Sequence, residues 1–105
     1  MIVATPPPAP PARVQVVARE FSLALSRQRI RSGKAIVELA NFGEDAHDLR
    51  LQRVGGTIVY RWPTAQPGDA EDKALTLAPG TYRLWCSIAN HRALGMTATL
   101  VVVRR

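Results

Sequence analysis

The chain has 105 residues, 47% of them hydrophobic and 21% charged, which gives room for one compact domain around one core. Its single cysteine, Cys86, excludes an internal disulfide framework, a two-cysteine redox motif and a four-cysteine zinc site. Fourteen Lys and Arg against eight Asp and Glu give a net charge of +6, which favours acidic partners and keeps outward strand faces in water.

Five of the eight prolines fall between Pro6 and Pro11. Such a run prefers polyproline II and cannot enter a sheet interior, so residues 1–12 read as a proline-rich linker, a semi-rigid tether to a membrane anchor outside this sequence. The opening Met-Ile-Val-Ala-Thr lacks the basic start of a secretory signal, and no apolar run reaches the ~18 residues of a membrane-spanning helix. The folded domain is expected over residues 13–105. From Arg13 onward the hydrophobic pattern has period two. Val14 and Val16 open the first run, and Phe21, Leu23 and Leu25 alternate in the second. Arg27, Arg29 and Arg31 alternate next, as on a solvent-facing strand edge. Ser32-Gly33-Lys34 reads as a turn and Ala35 to Asn41 as a strand. His47, Leu49 and Leu51 then share one strand face, with Asp48 and Arg50 on the other. Ile58 and Tyr60 form a short run. Arg61 to Lys73, with Pro63, Pro67 and Gly68, is a long crossover to which the pattern assigns no element. Leu75 and Leu77 lead into the turn at Pro79-Gly80, Tyr82, Leu84 and Cys86 alternate, and Thr97 to Val103 is the last strand. The sum is an all-β, antiparallel Greek-key sandwich or barrel of seven to eight strands.

The stretch from Cys86 to Met96 carries the chemistry. Cys86, His91 and Met96 follow a predicted strand at a spacing of five. In a helix each would sit about 140° around from the last, so one helix cannot aim all three at one point. A loop wrapped about an ion can. The only other histidine, His47, lies on the inward face of a separate strand. Taken singly, a buried cysteine, a strand histidine and a strand-edge methionine are ordinary core residues. Together they are the ligand set of a blue copper site, a trigonal His₂Cys plane with a weak axial thioether. The thiolate binds copper strongly, imidazole suits both oxidation states, and the thioether favours Cu(I). A thioether in fourth position argues against structural zinc.

At these residues the sequence resembles the cupredoxins, the plastocyanin–azurin type of small blue copper protein. Asn41 to Leu49 resembles the family segment in which an asparagine and a glycine precede the first copper histidine. Leu77 to Cys86 resembles the strand that runs into the cysteine, and Cys86 to Val103 resembles the ligand loop and final strand. The resemblance implies His47, Cys86, His91 and Met96 as copper ligands, one copper per chain, and an extracytoplasmic location. It also implies redox partner proteins, with acidic surfaces, docking on an apolar patch at His91 that Ile88, Ala89, Ala93 and Leu94 supply here. Two positions depart from the family pattern. Asp48 stands where many members have asparagine; when ionised it can only accept hydrogen bonds, and backbone N–H groups near Ser87, or the Ser87 hydroxyl, are its expected donors. Ala89-Asn90 replaces Pro-Gly before the second histidine, where Asn90 can still adopt a left-handed turn conformation.

The leading function is therefore single-electron transfer, with a copper carrier using the same ligands as the alternative. Substrate turnover is not expected: a trinuclear oxidase centre needs many more histidines than two, and a binuclear copper site needs a second cysteine. Nucleic acid is not expected either, because six aromatic residues in all supply no stacking platform to accompany the basic charge.

Overall fold

The computed structural model describes residues 9–105, so residues 1–8 of the expected proline-rich linker lie outside the described residues. The elements are nine strands: β1 (Ala12–Arg19), β2 (Ser22–Leu25), β3 (Arg29–Arg31), β4 (Gly33–Asn41), β5 (His47–Arg53), β6 (Val59–Ala65), β7 (Ala70–Leu77), β8 (Gly80–Trp85) and β9 (Thr97–Val103). They form a four-stranded sheet in the order β2-β1-β4-β7 and a five-stranded sheet in the order β3-β9-β8-β5-β6. Among the described residues there is no helix, and hence none long and apolar enough to cross a membrane.

The alternating side chains of the two sheets meet in one core. Val14, Val16, Val37 and Leu39 come from the first sheet, and Leu49, Leu51, Leu84 and Leu100 from the second, all essentially without exposure. Each polar neighbour along these strands falls on the outer face because successive side chains point to opposite sides of a sheet. Trp62 of β6 reaches across the sandwich, and its indole N–H donates to the Val37 carbonyl of β4 at 3.0 Å. Tyr82 of β8 is buried with its hydroxyl donating to the Ala78 carbonyl at 2.8 Å, and desolvation raises its pKa. Tyr82→Phe keeps the ring and orphans that carbonyl, so urea unfolding should report a loss of about 1 kcal/mol.

The sandwich is the expected one, with two additions. First, both sheets are mixed: β1 runs parallel to β4, and β3 parallel to β9. The chain enters one sheet, crosses to the other through β3, and returns through β4, so consecutive strands are not always paired. Second, the crossover left without an element is itself two strands, β6 and β7. Both are sheet edges, and Pro63 is tolerated within β6 because it falls at the register shift opposite His47 to Leu49, where it has no paired partner. Arg29 and Arg31 do lie outward on the edge strand β3, flanking buried Ile30. Phe21 does not continue the β2 alternation. It sits in the β1–β2 turn, 36% exposed, at the end of the sandwich where β5 begins and β8 ends.

Candidate metal centre

Three loops meet at that end: the β1–β2 turn, the β4–β5 connection 42–46, and the long β8–β9 loop. His47 enters as the first residue of β5, on the buried face it shares with Leu49 and Leu51. Cys86 leaves β8 on the face of Tyr82 and Leu84. His91 arrives from the loop. Its backbone N–H donates to Ile88 O at 3.0 Å, and its carbonyl accepts from Leu94 and Met96, both at 3.1 Å, so the loop turns about this residue. His47 and Cys86 are wholly buried and His91 is 7% exposed. The Cys86 sulfur is 3.6 Å from Nδ1 of His91 and 4.0 Å from Nδ1 of His47, and the two rings meet edge to face at 5.1 Å. One donor atom from each of the three lies within 4.8 Å of the others, the spread that a single small cation between them requires. Burial pushes the Cys86 thiol pKa upward, so without a cation the sulfur holds its proton at neutral pH.

Met96, also fully buried, closes the loop: its carbonyl accepts from the Cys86 N–H at 3.2 Å and its N–H donates to the His91 carbonyl. The backbone thus ties Met96 directly to both loop residues. A soft thiol and two imidazoles with Nδ1 turned toward it form a donor set suited to copper rather than to a hard cation.

Solved structures with this architecture exist, although no protein-family model matches the sequence and no curated protein does. Auracyanin A, a blue copper protein from the green thermophilic photosynthetic bacterium Chloroflexus aurantiacus, has a TM-score of 0.71 at 16% identity, over 89% of this chain and 99% of its own. Dithionite-reduced auracyanin from the photosynthetic bacterium Roseiflexus castenholzii gives 0.68 at 18%, over 88% and 97%. A reduced single-substitution variant of amicyanin gives 0.65 at 18%, over 90% and 85%. The fold is that of the cupredoxins.

Within this fold, Asp48 does what its chemistry demands. Its carboxylate, 4% exposed, accepts from the Ser87 N–H at 2.6 Å and from the Ser87 hydroxyl, and Arg50 adds an ion pair at 3.2 Å. The Ser87 hydroxyl donates as expected, the backbone donor of that region is the Ser87 N–H itself, and the two clamp the residue after His47 to the residue after Cys86. The left-handed residue before His91, however, is Ala89, at φ 47°, not Asn90. The loop reverses one residue earlier than expected, so that the His91 N–H can reach Ile88 O.

Two residues of the site lie outside the expected set. Phe21 tilts over the His91 ring at 5.0 Å between centroids, and its carbonyl approaches Gly95 so closely that a Cβ there would lie 3.1 Å away. With φ at 120° as well, position 95 takes only glycine without strain. Glu20, the residue before it, places its carboxylate in the 43–47 segment. Oε1 accepts from the Asp45 N–H at 2.6 Å and the Glu44 N–H at 2.8 Å, and lies 3.0 Å from Nε2 of His47. The two backbone donors, chiefly that of Asp45, hold the Glu20 carboxyl down at about 2. Neither residue carries a local signal. Glu20 is 27 positions from His47 in sequence, and only the β1–β4 pairing brings its turn to the site.

Proposed function

We propose that residues 13–105 form a type 1 copper domain that carries single electrons between redox partner proteins, with His47, Cys86, His91 and Met96 as ligands of one copper ion. The observation that carries this reading is the buried triad itself: the chain's only cysteine and both its histidines converge at one end of a cupredoxin fold. Copper would supply the redox couple, alternating between Cu(I) and Cu(II). The protein supplies the rest. It buries the sulfur, fixes both rings by hydrogen bonds and packing, and binds the three loops together through Asp48–Ser87 and the Met96 backbone. A site braced in this way moves little between oxidation states, which is what fast electron exchange requires.

His91 is the natural exit. Of the triad it alone has measurable exposure, and apolar residues surround it: Phe21 at 36%, Leu94 at 50%, and exposed Ala89 and Ala93. A partner covering this patch comes within one imidazole of the ion. Arg92, stacked over Trp85 at 4.4 Å, and Arg19, over Phe42 at 5.5 Å, add positive charge near the rim, which favours an acidic partner surface. The burial of His47 and Cys86 favours electron carriage over copper delivery, since handing over an ion requires an incoming ligand to reach it. The reading extends to an extracytoplasmic protein held by the proline-rich 1–12 segment.

The test is an optical and electrochemical one. Adding Cu(II) should produce an intense visible sulfur-to-copper absorption at one copper per chain, bleached by reductant and restored by oxidant. A colourless complex would overturn the proposal, and rapid transfer of copper to an apo-acceptor with slow self-exchange would favour the carrier.

A further inference from the structure

We propose that Glu20 is the positioning residue of His47: its carboxylate fixes the imidazole with the proton on Nε2 and Nδ1 free for copper, and biases the bound ion toward Cu(II). The proposal rests on the copper reading above and adds to it a residue from a different loop. Three observations support it. A carboxylate bearing a charge has only acceptor atoms, so the 3.0 Å contact with His47 Nε2 requires that nitrogen to carry hydrogen. Nδ1 is then the lone-pair nitrogen, and it is the one facing the Cys86 sulfur at 4.0 Å. Second, the carboxylate cannot drift. Glu44 N–H and Asp45 N–H hold it from the turn that delivers His47, so ring and carboxylate are registered on one short segment. Third, the chain makes room for it at Gly43, where a Cβ would lie 2.5 Å from Oε1 and 2.7 Å from Oε2. Gly43 does not have a positive φ, so a Cβ there would press on the Glu20 carboxylate rather than strain the backbone.

The consequence is electrostatic. A carboxylate behind a metal-bound imidazole makes the ring a stronger donor, and outer partners of this kind change metal affinity by about 10–100-fold. The effect is larger on the more highly charged ion. Glu20 therefore stabilises Cu(II) more than Cu(I), opposing the thioether of Met96, which favours Cu(I).

Redox titration of copper-loaded Glu20→Gln should show the couple moved about tenfold toward Cu(I), which for one electron is about 59 mV. The blue absorption should persist, since no ligand is lost. Gly43→Ala, which keeps the charge but displaces the carboxylate, should move the couple in the same direction. Asp72→Asn, which removes an exposed carboxylate from β7, should leave it nearly unmoved. If Glu20→Gln shifts the couple no more than Asp72→Asn does, the proposal is overturned. One readout needs neither copper nor a variant: ¹⁵N NMR of the apo-protein, at a pH where the ring is neutral, should find the His47 proton on Nε2. A proton on Nδ1 would sink the positioning role. Failure of the wild-type protein to turn blue would sink the copper reading instead, so the two failures are distinct.

Discussion

Cys86→Ser should abolish the visible absorption of the copper-loaded protein and weaken copper binding by more than about 100-fold, while leaving the fold intact. The absorption belongs to charge moving from sulfur to the ion, and this chain has no second cysteine to supply it. A serine hydroxyl stays protonated where a metal-bound thiol does not, so the site loses its one anionic donor. The loss should therefore exceed the 10–100-fold penalty for disturbing an outer partner. The fold should survive because serine is nearly the size of cysteine, although its shorter Cβ–O bond leaves the hydroxyl beyond hydrogen-bonding distance of the imidazoles that Cys86 now faces at 3.6 and 4.0 Å. Circular dichroism should give a wild-type spectrum, and urea unfolding a loss no larger than the 1–3 kcal/mol of an imperfectly paired buried hydroxyl. Retained colour in this variant would show that the chromophore is not Cys86 and would end the assignment. The same measurement on His91→Gly, which opens the exposed side of the cluster, distinguishes loss of one ring from loss of the sulfur.

What the sequence makes legible here follows from the range over which each signal acts. Tyr82, Leu84 and Cys86 alternate because β8 has one buried face, and that alternation aims Cys86 inward before any partner strand is known. His47, Leu49 and Leu51 do the same for β5. The loop from Cys86 to Met96 is legible from spacing, since four residues between successive soft or imidazole side chains suit a wrapped loop. Pairing direction is not legible in this way. Period two looks the same in a parallel and an antiparallel neighbour, so β1 beside β4 and β3 beside β9 emerge only from the packed structure. Pro63 hides β6 for a related reason: an edge strand tolerates what a central strand forbids, and edge status is a property of the whole sheet. Glu20 and Phe21 are the extreme case. Glu20 stands out in no pattern and Phe21 reads as the start of an alternating run, and their roles depend wholly on which loops fold beside them. Ala89 shows the opposite failure, where a local rule favouring asparagine in left-handed backbone yields to hydrogen bonds around His91.

Asn41→Ala should cost about 2–4 kcal/mol of stability, a large share of the roughly 5–15 kcal/mol of a typical domain. Asn41 is fully buried at the end of β4 and uses every arm of its amide. Nδ2 donates to the Asp45 carbonyl at 2.8 Å and to the Ala65 carbonyl at 2.9 Å, while Oδ1 accepts from the Gly43 N–H at 2.8 Å. Alanine strands all three groups, at about 1–3 kcal/mol for each one denied water. The same bonds shape the turn that holds Glu20 and delivers His47, so copper affinity should fall along with stability. Asn41→Asp separates chemistry from volume. It keeps the acceptor for Gly43 but turns an ionised oxygen toward two carbonyls, so at neutral pH it should be at least as harmful as alanine. Protonation restores one donor; the introduced carboxyl should therefore have a folded pKa above its unfolded value, and the defect should shrink as pH falls through that folded value. Urea unfolding at pH 7 and pH 4 measures both effects. An alanine variant within about 0.5 kcal/mol of wild type, the range of an ordinary surface change, would mean that the turn does not depend on Asn41. The bracing of His47 would then have to come from Glu20 and the strand alone.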